Sequence, residues 1–245
     1  MDNTVVVGFG YRARSGKDEA ARAIIAARFP QYDVRRYAFA DALKVEANAA
    51  ADAAGGMLEL FKQGGIHDVD GFHAFEFFDE KKKEFYPVRY DADAPMDDPL
   101  CPLGKQRELL QWWGTEYRRN QNLNYWVEKL QETLEQEKPA IALITDMRFP
   151  NEVSWVKSSL DNCVVRVDRL GYRNNTPDHA SEHALDWMGD EDWHYILQVP
   201  DGDLPELQKD AVVVFDLIIA SLTPPDLSDV SRVENGQLKV PTVSA

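Results

Sequence analysis

Cysteine is scarce in this chain. Among its 245 residues there are two, Cys101 and Cys163, and they lie far apart in the sequence. Two distant cysteines give neither the close spacing of a metal site nor a disulfide framework. Because structural disulfides belong to oxidising compartments, we expect a protein of the reducing cytoplasm.

Long apolar runs and an excess of positive charge are also missing. The most apolar stretch, residues 211–222, is too short to span a bilayer and contains Asp216. Residues 1–4 do not resemble a signal peptide. Lysine and arginine total 27 against 42 acidic residues, and this net charge of -15 repels nucleic acid and anionic membranes. We expect a soluble protein without nucleic acid or membrane partners, in which a small anion is bound only where basic side chains converge.

Short apolar segments alternate with segments of helical spacing along the chain. The apolar segments have no polar residues at every second position, which is typical of strands buried on both faces. Such strands are expected at residues 4–9, 33–39, 140–145, 163–167 and 195–199. Helices are expected at residues 17–29, 40–54, 105–118, 125–136, 150–160 and 204–222. The pattern predicts an α/β fold with a parallel sheet covered by helices on both faces, whose ligands bind beyond the carboxyl ends of the strands.

Residues 55–103 differ in composition from the rest of the chain. They contain glycine pairs, a run of charged residues at 80–84, and a stretch rich in proline and aspartate. We expect an insertion on the substrate side of a single domain that spans residues 1–225. The sequence from Thr223 onward is rich in proline, serine and aspartate, and residues 226–245 are expected to form a flexible tail.

A glycine- and arginine-rich turn, residues 10–18, separates the first strand from the first helix. Backbone amides in such a turn point at phosphate oxygens, and Lys17 would reach the outer phosphates. A phosphate loop usually has glycine where Tyr11 stands and serine or threonine where Asp18 stands; Asp18 could hold Mg²⁺ directly or through water. The residues expected to bind ATP are Arg14, Ser15, Gly16, Lys17 and Asp18.

A second interpretation uses the same turn. Residues 8–13 satisfy the dinucleotide fingerprint, and Asp33 follows at about the expected distance of 20 residues. This interpretation leaves Ser15, Gly16 and Lys17 without a role. A third is a basic glycine turn that binds no ligand.

Acidic and basic residues also follow two later strands. Asp146 ends an apolar strand, where an acid often holds Mg²⁺ or its waters. Arg148 could bridge phosphates, or it could form a structural pair with Asp146 or Glu152. Arg169 begins a polar loop, residues 169–183, that could close like a lid over bound phosphates.

Two further patterns have helical spacing. Gln111, Thr115 and Arg118 would share one face of a helix, a face suited to a base, a sugar and a phosphate. His179 and His183 are also four residues apart, but no third ligand follows at zinc-site spacing. Ser181, between them, is expected to cap a helix.

In their order along the chain, these stretches resemble the phage-type deoxynucleoside monophosphate kinases of the P-loop kinase superfamily. The matching segments are residues 14–18, 39–44, 110–118, 146–152 and 179–182, spread over most of residues 4–220. The resemblance implies a P-loop nucleoside monophosphate kinase-like fold. It also implies Mg²⁺-dependent transfer of the terminal phosphate of ATP to a deoxynucleoside monophosphate.

The resemblance also implies roles for individual residues. Lys17, Arg148 and Arg169 would be catalytic, and Asp18 and Asp146 would hold Mg²⁺. The acceptor would be bound by Phe39, Lys44, Gln111, Thr115 and Arg118. If the protein is encoded by a phage, it would work in the cytoplasm of the host. A homodimer is one possible oligomeric state. The alternatives are a kinase of another small acceptor and a non-catalytic, Rossmann-like nucleotide-binding protein.

Overall fold

Two stretches that are far apart in sequence fold together into the first of two units. The computed structural model describes residues 4–64, 66–69, 72–79, 83–172 and 179–222. The first unit comprises Met1–Ala38 with Leu130–Ala245, and the second comprises Phe39–Lys129. The expected tail, residues 226–245, and part of the expected lid, residues 173–178, lie outside the described residues.

Strands and helices are numbered here in chain order. The strands are β1 (Val5–Gly10), β2 (Val34–Tyr37), β3 (Ile66–Val69), β4 (Phe72–Asp79), β5 (Glu84–Arg89), β6 (Ile141–Met147), β7 (Cys163–Leu170) and β8 (Tyr195–Pro200). The helices are α1 (Lys17–Arg28), α2 (Phe39–Ala54), α3 (Met57–Gln63), α4 (Arg107–Gln111), α5 (Tyr125–Glu137), α6 (Pro150–Val156), α7 (Ala180–His183) and α8 (Leu204–Ser221). A π-helix, Trp112–Arg119, continues α4, and a 3₁₀ turn, Asp190–Asp192, precedes β8.

The strands of the first unit form one parallel sheet. In the part of the chain that the structure describes, its order is β2-β6-β1-β7-β8, and each neighbouring pair is parallel. β1 is buried along its whole length. The expected α/β fold with a parallel sheet is confirmed, and it follows from apolar strands that must be covered on both faces.

Helices cover both faces of this sheet. On one face, Val7 and Phe9 belong to the same apolar core as Ile24 of α1 and Phe215 of α8. On the other face, a Cβ atom added to Gly8 would lie 3.2 Å from Val156 of α6. Because β6, β1 and β7 are adjacent and parallel, the segments that follow them all begin at one edge of the sheet. Among the described residues, no helix has both the length and the apolar character to cross a membrane.

The second unit has a core of its own, in which Phe61 of α3 packs on Phe75 of β4 with ring centroids 5.2 Å apart. Residues 55–103, expected to be an insertion on the substrate side, contain α3 and the antiparallel strands β3, β4 and β5. The helix expected over residues 105–118 is present from Arg107, but it is not α-helical throughout. The α-helix ends at Gln111 and a π-helix follows.

A contact with Trp126 of α5 accounts for the π-helix. The indole Nε1 of Trp126 donates a 2.9 Å hydrogen bond to the carbonyl of Gly114, which an α-helix would use for its own ladder. A side chain that inserts into the ladder in this way widens the turn. Because a π-turn spans five residues where an α-turn spans four, the spacing argument that put Gln111, Thr115 and Arg118 on one face no longer holds.

Candidate functional site

The turn after β1 is built from residues in left-handed backbone conformations. Tyr11, Arg14 and Gly16 have φ angles of 94°, 57° and 102°. Left-handed residues set among right-handed ones turn successive N–H groups toward one side, which makes a concavity for anions. Tyr11 thus adopts a left-handed backbone conformation, which glycine adopts more readily than other residues. Its ring is flanked by Arg12 and Arg166, whose guanidinium carbons each lie 5.2 Å from the ring centroid.

Gly16 ends this turn and precedes the first residue of α1. A Cβ atom at this position would lie 2.4 Å from Cδ2 of Leu207 in α8. Both the left-handed φ and the close approach of Leu207 therefore require glycine. The two constraints hold the turn against the carboxyl edge of the sheet, with the first N–H groups of α1 facing outward from that edge.

Lys17 lies inside the turn, and only 5% of it is exposed. Its Nζ donates to the carbonyl oxygen of Arg12 at 2.5 Å and to Oγ of Ser15 at 3.2 Å. Burial, followed by the charge of Arg148, lowers the pKa of Lys17 to about 7, although Asp146, Asp18 and Glu182 oppose this shift. The ammonium group is therefore short of compensating charge, a condition that a bound polyanion would correct.

Asp18 is linked to the end of β6. The buried hydroxyl of Thr145 donates to Oδ1 of Asp18 at 2.7 Å, and Nε of Arg36 lies 3.3 Å from the same oxygen. Thr145 directly precedes Asp146 in the sequence. Thr145 thus connects two carboxylates that were each expected to hold Mg²⁺.

Two buried glutamates hold Arg148. Oε2 of Glu152 accepts hydrogen bonds from the backbone N–H groups of Arg148, at 2.6 Å, and Phe149, at 2.9 Å. The guanidinium of Arg148 donates from Nη1 to Oε1 of Glu182 at 2.6 Å. The Arg148–Glu152 contact is therefore made through the backbone of the arginine, and the ion pair of its side chain is with Glu182.

Glu182 is a site residue to which the sequence interpretation gave no role. Its Oε2 accepts a 3.0 Å hydrogen bond from the backbone N–H of Ala13, in the turn after β1. Burial works against ionisation, but the Ala13 N–H and Arg148 lower the pKa of Glu182 below its usual value. Its position in the segment 179–182 was the available signal. The contacts themselves join residues about 170 and 34 positions apart, which no local pattern reveals.

The N-cap of α7, the helix that contains Glu182, is not the residue that was expected. The side chain of His179, rather than that of Ser181, caps α7 by accepting a 3.2 Å hydrogen bond from the N–H of Ser181. Ser181 lies too late in the segment to act as the cap, since α7 begins at Ala180.

A cavity of about 480 Å³ opens at this edge of the first unit. Its walls include eight of the residues expected to bind ATP, Mg²⁺ or the transferred phosphate: Arg14, Ser15, Gly16, Lys17, Asp18, Asp146, Arg148 and Arg169. The β8–α8 segment adds apolar groups through Val199, Pro200, Leu204 and Leu207. Basic side chains therefore converge locally in a strongly acidic protein.

Arg169 borders the cavity at the end of β7. It donates from Nη1 to the carbonyl oxygen of Arg14 at 3.2 Å and from Nε to Asp201 at 2.5 Å. Its guanidinium carbon lies 4.3 Å from the ring centroid of Tyr172. Arg169 is thus positioned by three groups beside the turn that contains Lys17.

Asp33, required by the dinucleotide interpretation, lies elsewhere. It precedes Val34, the first residue of β2, and accepts from Nε of Arg35 at 2.7 Å. It therefore stands at the amino end of a parallel strand, whereas the turn with Lys17 follows the carboxyl end of β1. A ligand whose phosphates lie at that turn would have its ribose far from Asp33.

The residues expected to bind the acceptor belong to the second unit. Phe39 is buried at the first residue of α2, and Gln111 and Thr115 are half-buried. Lys44 Nζ lies 2.9 Å from a carboxylate oxygen of Asp98. Lys44 and Asp98 are thus an ion pair within this unit.

Arg118 is held within a polar and aromatic cluster. Its Nε donates to Oε1 of Glu46 at 2.6 Å, and the same carboxylate accepts from Trp113 Nε1 and Tyr125 Oη, each at 2.7 Å. The guanidinium carbon also lies 5.0 Å and 4.9 Å from the ring centroids of Tyr117 and Tyr125. Arg118 is rigidly placed by these contacts, and its role toward an acceptor stays a prediction.

Comparison with known proteins adds no further identification. The chain matches no protein-family model and no curated protein. The described residues also contain no group of three or more histidine, cysteine, aspartate or glutamate side chains arranged to hold a metal ion.

Proposed function

We propose that this protein binds ATP at the turn that holds Lys17 and transfers its terminal phosphate to a deoxynucleoside monophosphate. The observation that carries the proposal is the buried Lys17. It is enclosed by a turn of left-handed residues at a cavity that Arg148 and Arg169 also line. A buried ammonium surrounded by outward-facing N–H groups and two guanidiniums suits several linked phosphates better than a single carboxylate.

The strand order supports a phosphate loop over a dinucleotide fingerprint. In the usual dinucleotide-binding order, the first two strands of the chain lie side by side. Here β6 lies between β2 and β1. The helix also begins at Lys17, four residues beyond the end of the fingerprint at Ala13. Both observations favour a ligand that places its phosphates around Ser15, Gly16 and Lys17.

The class of acceptor rests on the resemblance to phage-type deoxynucleoside monophosphate kinases. The segments 39–44 and 110–118 carry that part of the resemblance, and both lie in the second unit. A cavity of about 480 Å³ at the first unit is of the size of a site for one small molecule. This fits the donor nucleotide, whose expected residues all belong to the first unit.

The chemistry asks mainly for placement and charge. The acceptor phosphate is already a nucleophile at neutral pH, so no general base is needed. Lys17 and Arg148 would neutralise charge on the donor phosphates, and Arg169 would do so on the phosphate in transit. Preorganised donors of this kind each contribute about 3–4 kcal/mol to stabilisation of the transition state.

Mg²⁺ fits the carboxylates of this cavity. The ion usually takes one or two carboxylates, with waters and substrate phosphates as its other ligands, and Asp18 and Asp146 provide two. When bound, Mg²⁺ would offset negative charge on the phosphate oxygens. The side chain of Asp18 is 56% exposed, so it can bind through water without a large desolvation penalty.

An acceptor screen tests the proposal. The purified chain is incubated with ATP, Mg²⁺ and each deoxynucleoside monophosphate, and diphosphate products are measured. We expect transfer to at least one of them and its loss in Asp146→Asn as free Mg²⁺ is lowered. Phosphorylation of a sugar or coenzyme precursor alone would make it a kinase of another acceptor. ATP binding without acceptor-dependent turnover would leave a nucleotide-binding protein.

A further inference from the structure

Glu182 is a buried carboxylate that joins two different loops, both of which contribute residues to the wall of the cavity. One oxygen accepts from the N–H of Ala13 at 3.0 Å, and the other accepts from Arg148 at 2.6 Å. Only 5% of the residue is exposed. Ala13 lies in the turn after β1, Arg148 follows β6, and Glu182 belongs to α7, which follows β7. The residue therefore connects the segments that leave three adjacent strands.

Each oxygen of Glu182 has a distinct task. The contact with Ala13 fixes the turn at the residue between Arg12, whose carbonyl accepts from Lys17, and Arg14. The contact with Arg148 fixes a guanidinium at the wall of the cavity. Only a carboxylate offers two acceptors here. A glutamine would present an amide N–H either to the Ala13 N–H or to the guanidinium, so one contact would be lost.

We propose that Glu182 is a positioning residue that holds the turn around Lys17 and the Arg148 guanidinium in the arrangement that receives the phosphates. This inference rests on the proposed function for its ligand, the triphosphate of ATP. Glu182 does not itself contact the phosphates, because its two oxygens are directed at Ala13 and Arg148. Its effect on the ligand is transmitted through those two groups.

Whether Glu182→Gln strengthens or weakens ATP binding shows which role Glu182 has, that of a positioning residue or that of a negative charge near the ligand. If Glu182 acted only as a negative charge near an anion site, Glu182→Gln would tighten ATP binding. If it positions the turn and Arg148, Glu182→Gln should weaken ATP binding about tenfold, as losses of supporting contacts commonly do. Asp186→Asn is the matched control. It removes one negative charge from the same segment, but from an exposed pair with Arg12.

Isothermal titration of ATP into the full chain and both variants decides between these directions. The expected result is weaker binding in Glu182→Gln and unchanged or tighter binding in Asp186→Asn, with thermal melting used to verify that both are folded. Equal or tighter binding in a folded Glu182→Gln variant would overturn the inference. If Glu182→Gln does not fold, Glu182→Asp keeps the charge but cannot span both contacts, and it should also bind ATP more weakly.

A double-mutant cycle tests transmission through Arg148. In steady-state kinetics, Glu182→Gln should lower kcat about a hundredfold in the native chain, but far less in an Arg148→Ala background. Equal losses in both backgrounds would contradict positioning of Arg148.

Hydrogen exchange of residues 11–16 without nucleotide gives a readout that is independent of catalysis. It should be faster in Glu182→Gln than in Asp186→Asn. A chain that binds ATP but phosphorylates no acceptor would refute the proposed function while leaving the binding and exchange results to decide on Glu182.

Discussion

The hydroxyl of Thr145 donates a 2.7 Å hydrogen bond to a carboxylate oxygen of Asp18. Phosphate loops ordinarily place a hydroxyl directly after the lysine and an acid at the end of a neighbouring strand. Here the acid follows Lys17, and the hydroxyl stands at the end of β6, one residue before Asp146. An acid therefore stands where the hydroxyl is usual, while Asp146 still provides an acid at the end of β6, which leaves two carboxylates at the wall of the cavity.

Loss of the Thr145–Asp18 hydrogen bond should change the dependence of activity on Mg²⁺. Thr145→Val keeps the shape of a buried side chain but removes the donor that orients Asp18. The Mg²⁺ concentration for half-maximal activity should rise about tenfold, with little change in ATP affinity at saturating Mg²⁺. Thr145→Ser, which keeps the hydroxyl, is the control. A Mg²⁺ titration that is the same for Thr145→Val and the native chain would show that the hydrogen bond has no role in metal binding.

Substitution of Lys17 should separate activity from stability. Lys17→Met should lower kcat/KM at least a thousandfold, a loss of about 4 kcal/mol in transition-state stabilisation.

The pKa of Lys17, about 7 in the folded chain against 10.5 in an exposed lysine, means that burial disfavours its charged form. This penalty is complete below pH 7 and is relieved as pH rises toward 10.5. Relative to Lys17→Met, the native chain should therefore gain about 1 kcal/mol of unfolding free energy per pH unit between pH 7 and 10. Urea titrations at several pH values measure it, and a constant difference would contradict the burial of a charged Lys17.

ATP binding should take up a proton at alkaline pH. Above pH 8 the phosphates carry their full charge, while Lys17 with a pKa of about 7 is mostly neutral in the free protein. Because the ligand favours the ammonium form, affinity should fall by up to about tenfold per pH unit between pH 8 and 9. Calorimetry in two buffers of different ionisation enthalpy counts the proton. Lys17→Met should show no such uptake, and an equal uptake in both proteins would assign the proton to another group.

Arg169 should not be replaceable by lysine. Its guanidinium reaches Asp201, the carbonyl of Arg14 and the ring of Tyr172 together, which an ammonium group cannot do. Arg169→Lys should lower kcat about a hundredfold with a smaller change in KM for ATP. Arg35→Lys is the comparison, because Arg35 pairs with Asp33 at the opposite end of the sheet. Native kinetics in Arg169→Lys would remove this residue from the mechanism.

Two glycines allow the constraint at Gly16 to be measured. Gly16 and Gly171 both have left-handed φ angles, 102° and 83°. A Cβ atom at Gly171 meets nothing within 4 Å, whereas one at Gly16 would collide with Leu207. Gly171→Ala should cost about 1 kcal/mol from backbone strain, and Gly16→Ala should cost distinctly more. Chemical denaturation of the two variants compares them, and equal losses would show that Leu207 moves aside without penalty.

The sequence was sufficient to predict the parallel sheet and the residues that meet at its carboxyl edge. Strands with long apolar runs, such as β1 and residues 141–144 of β6, are buried in a covered sheet, so the residues that follow them had to meet at one edge. Lys17, Asp146, Arg148 and Arg169 do lie around one cavity there.

Other features depended on contacts between distant residues. The π-helix arises from Trp126 acting on Gly114, and no periodicity within residues 105–118 contains that information. Glu182 became a site residue because of Ala13 and Arg148, which lie on other strands' loops. The antiparallel strands β4 and β5 were missed because their aromatic and charged residues resemble the composition of an irregular insertion.

The position of β6 also has a consequence for biosynthesis. β1 and β2 are made early, yet the strand that lies between them, β6, begins only at Ile141. At ordinary translation rates, the ribosome needs roughly 5 to 20 s to proceed from the end of β2 to the start of β6. During that interval the nascent β1 and β2 have no partner strand between them, while the whole second unit, Phe39–Lys129, is synthesised and can fold. A messenger truncated before residue 141 would therefore release a chain in which the apolar strand β1 lacks both of its partners, β6 and β7, and such a chain is a substrate for chaperones and proteases.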